Sequence, residues 1–123
     1  MLAVKEAKRL LDTANIDGID AIYTVNIPKN ITNVTNETIV LLTDASTFPT
    51  LHGSDDFNAL NRNIEVQVFY ALDPKYDPEM IDLKLYKTFQ HAGWDLGQNH
   101  GHTYDPYTNQ LTSTFYVENF EII

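Results

Sequence analysis

The sequence predicts an α+β fold: a mainly antiparallel sheet of about five strands with two helices packed on one face. Three observations predict it. Ile64, Val66, Val68 and Tyr70 fall on every second position, the spacing that turns alternate strand side chains to one face. Ile81, Leu85, Thr88, Phe89 and Ala92 follow as a stripe at helical spacing. Short β-rich runs on both sides, Ile39–Leu42 and Leu111–Ile122, extend the sheet.

The centre of the chain, from Asn63 to Gly93, carries the clearest signals. On the strand, Glu65 and Gln67 face away from the apolar side together with Phe69, so the second face is not wholly polar. Asp73-Pro74 breaks the alternation. Asp77 suits a helix N-cap, Pro78 the first helical position, and Glu79 the positive end of the helix dipole. Gly93 suits a left-handed C-terminal stop.

Before this centre, Met1 to Ala14 reads as an amphipathic helix with Ala3, Ala7, Leu10, Leu11 and Ala14 on one side. Asn15 to Asp20 is a turn around Asp17-Gly18; Thr13 and Thr24 stand where a calcium loop needs acids, which argues against calcium. Ala21 to Ile27 alternates as a strand ended by Pro28. Asn30 to Thr38 repeats Asn-x-Thr three times, read as a polar loop or strand edge because no signal peptide precedes it. Thr38 to Thr43 is a short apolar strand covered on both faces. Asp44 to Arg62 lacks periodicity and reads as a long loop, with apolar Phe48, Leu51 and Phe57 inside it. After Gly93, Trp94 to Thr103 reads as extended, Asp105 to Asn109 as a turn, and Leu111 to Ile122 as the last strand of a hairpin.

The 123 residues suit one domain, 1–123, and their 43% hydrophobic content is that of a globular chain. With 17 acidic and 8 basic residues the net charge is −9. That balance argues against gripping nucleic-acid phosphates or an anionic membrane, both of which need clustered Lys and Arg. The absence of cysteine excludes disulfides, thiolate metal sites and cysteine nucleophiles.

Few residues suggest chemistry. His100 and His102 at i and i+2 of a strand would share a side and could hold a metal with Asp105, but a fourth ligand is missing. His52 and His91 stand alone. Asp55-Asp56 reads as a solvated turn, because adjacent carboxylates rarely aim into one pocket. No nucleophile elbow, phosphate-cradling glycine loop or H-E-x-x-H occurs, so the sequence reads as that of a non-enzyme without cofactors. Met80 and Leu83 project away from the Ile81–Phe89 stripe, as Phe69 does from its strand. Together with Phe48, Leu51 and Phe57 they are the candidate oligomer or partner interface.

The order of elements adds one further indication. Ile64-Glu65-Val66-Gln67-Val68-Phe69-Tyr70, an acidic proline-bearing turn, an amphipathic helix, Gly93-Trp94 and a hairpin ending in Phe115-Tyr116-Val117 run in succession. This resembles the tail-terminator and tail-to-head joining proteins of long-tailed phages of Gram-positive bacteria, a group that includes a family labelled only as of unknown function. The resemblance implies a structural protein of the virion tail, assembled in the host cytoplasm. It implies a homo-oligomeric ring, often a hexamer, that caps the tail tube and meets a head connector while DNA slides through unbound. The alternatives are another head–tail or tail-tube part, and a small metal-dependent enzyme using His100 and His102.

Overall fold

The computed structural model describes residues 2–24, 35–53, 56–73 and 75–122, with side chains throughout apart from 48–53, 56–58 and 122. The order is α1 (Ala3–Ala14), β1 (Ala21–Thr24), β2 (Ile39–Gly53), β3 (Asp56–Phe69), α2 (Pro78–His91), β4 (Asp95–Tyr104) and β5 (Leu111–Ile122). The strands form one five-stranded sheet in the order β1-β2-β3-β5-β4. It is an α+β fold with a mixed sheet: β1 runs parallel to β2, and the other pairings are antiparallel. Because β5 lies antiparallel between β3 and β4, the β3-α2-β4 crossover is a split β-α-β unit.

Periodicity became packing where an element has one dry side. Ile64, Val66, Val68 and Tyr70 are fully buried and alternate with half-buried Glu65, Gln67 and Phe69. Val40 and Leu42 of β2 and Phe115 and Val117 of β5 join them in one core cluster, to which both helices contribute. From α1 come Ala3, Val4, Ala7 and Leu11. Val4 thus takes a core place in which Ala14 was expected; Ala14, in the last turn, is exposed. From α2 come Ile81, Leu85 and Phe89, while Ala92 is exposed beyond the last turn.

The ends of α2 follow from their caps. The Asp77 side chain accepts from Glu79 N at 3.1 Å, and Pro78 opens the helix. At the other end Gly93 adopts φ +90°, which a side chain would resist. Its amide donates to Gln90 O, and Trp94 N donates to Phe89 O at 3.0 Å. This paired bonding is a Schellman stop, completed by the Trp94 indole against Phe89, with ring centroids 5.7 Å apart.

One expectation is corrected. Residues 44–53 and 56–62 are not a loop: they form most of a long ribbon in which β2 and β3 pair from Ile39↔Phe69 to Gly53↔Asp56, with one irregularity between Asp44 and Ser46. No alternation announced these strands: Asp44 and Ala45 to Thr47 of β2 are all exposed, and beyond Ala59 the ribbon loses its β5 neighbour. Asp56 opens β3, while Asp55 lies outside the described residues. The expected first strand is present over its described part, Ala21–Thr24; its remaining residues 25–27, Pro28 and the Asn-x-Thr repeat as far as Val34 lie outside the described residues.

Candidate assembly surfaces

The polar cluster nearest to a chemical site sits between α2 and the sheet. Tyr70 is fully buried at the end of β3, and its hydroxyl donates to Asp82 Oδ1. Ser113 Oγ donates to that same hydroxyl at 3.1 Å. His102 Nε2 donates to Asp82 Oδ2 at 2.7 Å. Burial first, and then the bond to Asp82, push the Tyr70 phenol far above its ordinary value. Asp82 therefore shares its carboxylate between Tyr70, which follows β3, and His102 of β4, in a place whose burial the helical stripe did not foretell. Its own periodicity gives no hint of this: both partners reach it from other elements.

β4 meets this cluster because it is not a regular strand. Leu96 pairs with Val117, Asn99 with Phe115 and His102 with Ser113, so three residues of β4 twice span two of β5. Each break is a β-bulge, and Gly101 takes φ +74° at the second. The bulges change the period from two to three, bringing Asn99 and His102 to the α2 side. Asn99 Nδ2 donates to the Tyr86 hydroxyl at 2.8 Å, and burial raises the Tyr86 phenol against the pull of that bond. His100 is left on the other face, its ring 5.6 Å from that of Tyr116.

The expected His100 and His102 pair is thereby taken apart. The two imidazoles point to opposite faces, one toward Tyr116 and one toward Asp82. Asp105 turns its Oδ1 to the Tyr107 and Thr108 amides, at 2.8 and 3.4 Å. Among the described residues no three His, Cys, Asp or Glu side chains gather as a metal set.

The candidate interface residues fall in three places. Phe48 and Leu51 lie on β2 and Phe57 on β3, in the far part of the ribbon, with Phe48 opposite Asn61 and His52 opposite Phe57. Their side chains lie outside the described residues. Met80 and Leu83 are 49% and 50% exposed on α2. Phe69 is half-buried on the strand face that Gln67 shares, and with Gln67, Tyr104, Pro106, Tyr107 and Thr114 it lines a groove of about 370 Å³. Tyr104 and Tyr107, at 73% and 96% exposed, were not singled out from the sequence, because a turn residue and a strand end carry no periodic signal.

Charge is sorted over these surfaces. Among the described strands, Arg62 is the one basic residue, and it is buried in ion pairs with Glu6 at 2.6 Å and Glu121 at 3.2 Å. The other basic residues described are on α1, on α2, or at Lys75 just before α2. The sheet meanwhile carries Asp44, Glu65, Asp95 and Glu118. Glu65 accepts from the Tyr116 hydroxyl at 2.9 Å, which raises that phenol above its ordinary value.

A family description, "Protein of unknown function (DUF806)", matches residues 2–121. The chain belongs to that family. No curated protein matches it in sequence. Among solved structures it is similar to the sheath/tube terminator of an extracellular contractile injection system, PVC, determined by cryo-EM in the extended state. The TM-score is 0.53 at 7% identity, over all of this chain and 57% of that one. The chain thus spans little more than half the length of that terminator, and the likeness is one of fold. A histidine kinase domain from Erythrobacter litoralis EL346 covers 92% of this chain and 61% of its own at 10% identity, but its TM-score of 0.25 carries no argument.

Proposed function

We propose that this protein is a tail terminator: a structural subunit that assembles with copies of itself into a ring, closes a finished tail tube and presents its far side to a head connector. The observation that carries this reading is the fold shared over the whole chain with a sheath/tube terminator. The surfaces support it. The buried polar cluster is used up by internal hydrogen bonds, while exposed apolar residues remain on α2 and along the groove. Subunit contacts would cover Met80, Leu83 and Phe69, with Phe48, Leu51 and Phe57 carried by the ribbon toward the tube or a neighbour. A ring whose sheet carries acids and a buried cation repels phosphate, so DNA passes without sticking. Ring size, often a hexamer in the phage proteins that the chain resembles, and a place in the virion tail belong to the same proposal.

The test is assembly on tail tubes. Purified protein added to growing tubes should stop elongation and appear by electron microscopy as one extra ring at one end. Growth of the protein into long tubes by itself would make it a tube subunit. A strict monomer in light scattering that also fails to bind tubes would defeat the terminator reading.

A further inference from the structure

The ring reading leaves open which surfaces meet, and the inference here rests on that reading. We infer that the outer face of α2 in one copy docks into the groove beside Phe69 on the sheet of the next copy. Met80, Leu83 and Lys87 fall within roughly 60° of one another around the helix, directly opposite the buried Ile81, Leu85 and Phe89. From Leu83 to Trp94 the chain has no acid, and Lys84, Lys87 and His91 lie along it. From Leu83 onward this outer ridge thus joins an exposed leucine to basic residues, while Met80 lies in the first turn beside Glu79.

The groove is its counterpart. Phe69, Tyr104 and Tyr107 give it aromatic walls, and Tyr is a residue type that carries binding energy at interfaces. Asp105 lies in the lining and Glu65 on the same strand face as Gln67. The neighbouring described strands offer no exposed cation of their own to answer them, since Arg62 is buried. Ridge and groove are thus complementary in polarity and in charge.

Their placement decides the occupant. α2 packs on the sheet face that bears Phe115, with Tyr86 and Phe89 edge-on to its ring at 4.9 and 6.4 Å. Gln67, Phe69 and Thr114 alternate with buried Val66, Val68, Ser113 and Phe115, so the groove opens on the opposite face. One copy cannot join its own ridge to its own groove. Each copy presents one of each, and a head-to-tail contact of this kind closes into a ring when the rotation per copy permits. A symmetric dimer needs one self-complementary patch on each copy, and two surfaces on opposite faces cannot share one patch.

The cysteine-free sequence makes the contact easy to trap. Leu83→Cys and Thr114→Cys proteins, mixed under mild oxidation on assembled rings, should give a mixed disulfide dimer, and neither protein alone should. Leu83→Asp should weaken assembly roughly 30-fold or more while leaving the urea melt of the subunit unchanged. If wild-type rings form but the mixed disulfide is absent and Leu83→Asp assembles normally, the contact assignment is overturned and the ring stands. If Leu83→Cys alone cross-links to itself, the contact is symmetric and the head-to-tail arrangement is wrong. If the wild-type protein makes no ring on or off tubes, both readings fall together.

Discussion

Truncating Phe89 to alanine tests whether α2 is held by the packing described. Phe89 is fully buried, with Trp94 and Phe115 edge-on to its ring at 5.7 and 6.4 Å. Removing the ring loses about 1.5–3 kcal/mol of transfer free energy. Losing two edge-to-face contacts adds about 0.5–1.5 kcal/mol each. The total brackets the roughly 3–5 kcal/mol typical of such truncations in a core that relaxes only in part. Against a domain stability of about 5–15 kcal/mol this is a large fraction, and it lowers the melting temperature by about 10–25 °C in a chain of this size. The assay is a urea melt of Phe89→Ala beside Leu83→Ala, a half-exposed position on the same helix expected to change stability by no more than about 0.5 kcal/mol. A Phe89→Ala loss below about 1 kcal/mol, or equal losses at the two positions, would refute the assignment of the helix faces.

Three other outcomes follow from the same packing. The Tyr70 phenol titrates higher in the folded chain than the value near 10 of an unfolded one, so its contribution is fully present below about pH 10 and is lost as pH rises further. The urea midpoint should therefore fall steeply above about pH 10, and Tyr70→Phe should flatten that slope, leaving a remainder from Tyr86 and Tyr116; an unchanged slope would contradict the buried phenol. His102→Ala removes a donor from the buried Asp82 carboxylate and should cost about 1–3 kcal/mol while speeding amide exchange in β4 but not in β3; unaltered β4 protection would show that β4 is held by its ladder alone. Gly93→Ala meets open space but a φ of +90°, so it should cost about 1 kcal/mol from backbone strain alone; a neutral result in the same melts would mean that another feature ends α2.

Residues 63–93 announced their structure because local chemistry and packing agree there. The strand has one dry face, and the helix has an acid cap, a proline at its start and a glycine at its end. The ribbon between Asp44 and Arg62 did not. Its ladder is made by backbone groups, which any residue but proline supplies, and its outer part lacks the β5 neighbour beside which alternation would appear. The candidate interface was legible as leftovers: Met80, Leu83 and Phe69 sit where periodicity has no use for an apolar residue. The exposed groove residues Tyr104 and Tyr107 were not legible, since exposure at a turn leaves no mark on spacing. The same-side placement expected of His100 and His102 failed for a physical reason. Two bulges, one with Gly101 at positive φ, reset the period of β4 and sent His100 and His102 to opposite faces.

By itself, then, the sequence determined the α+β class, the core stripe of α2, the limits of that helix and the acidity of the whole. Those depend on neighbours within a few residues, and on a charge count that needs no geometry. The tertiary structure alone decided that β1 runs parallel to β2, that β5 enters between β3 and β4, that Asp82 is buried between Tyr70 and His102, and that ridge and groove face opposite ways. Each of these joins residues far apart in the chain, and strand direction, register and burial of a polar group are settled by the partner across the gap.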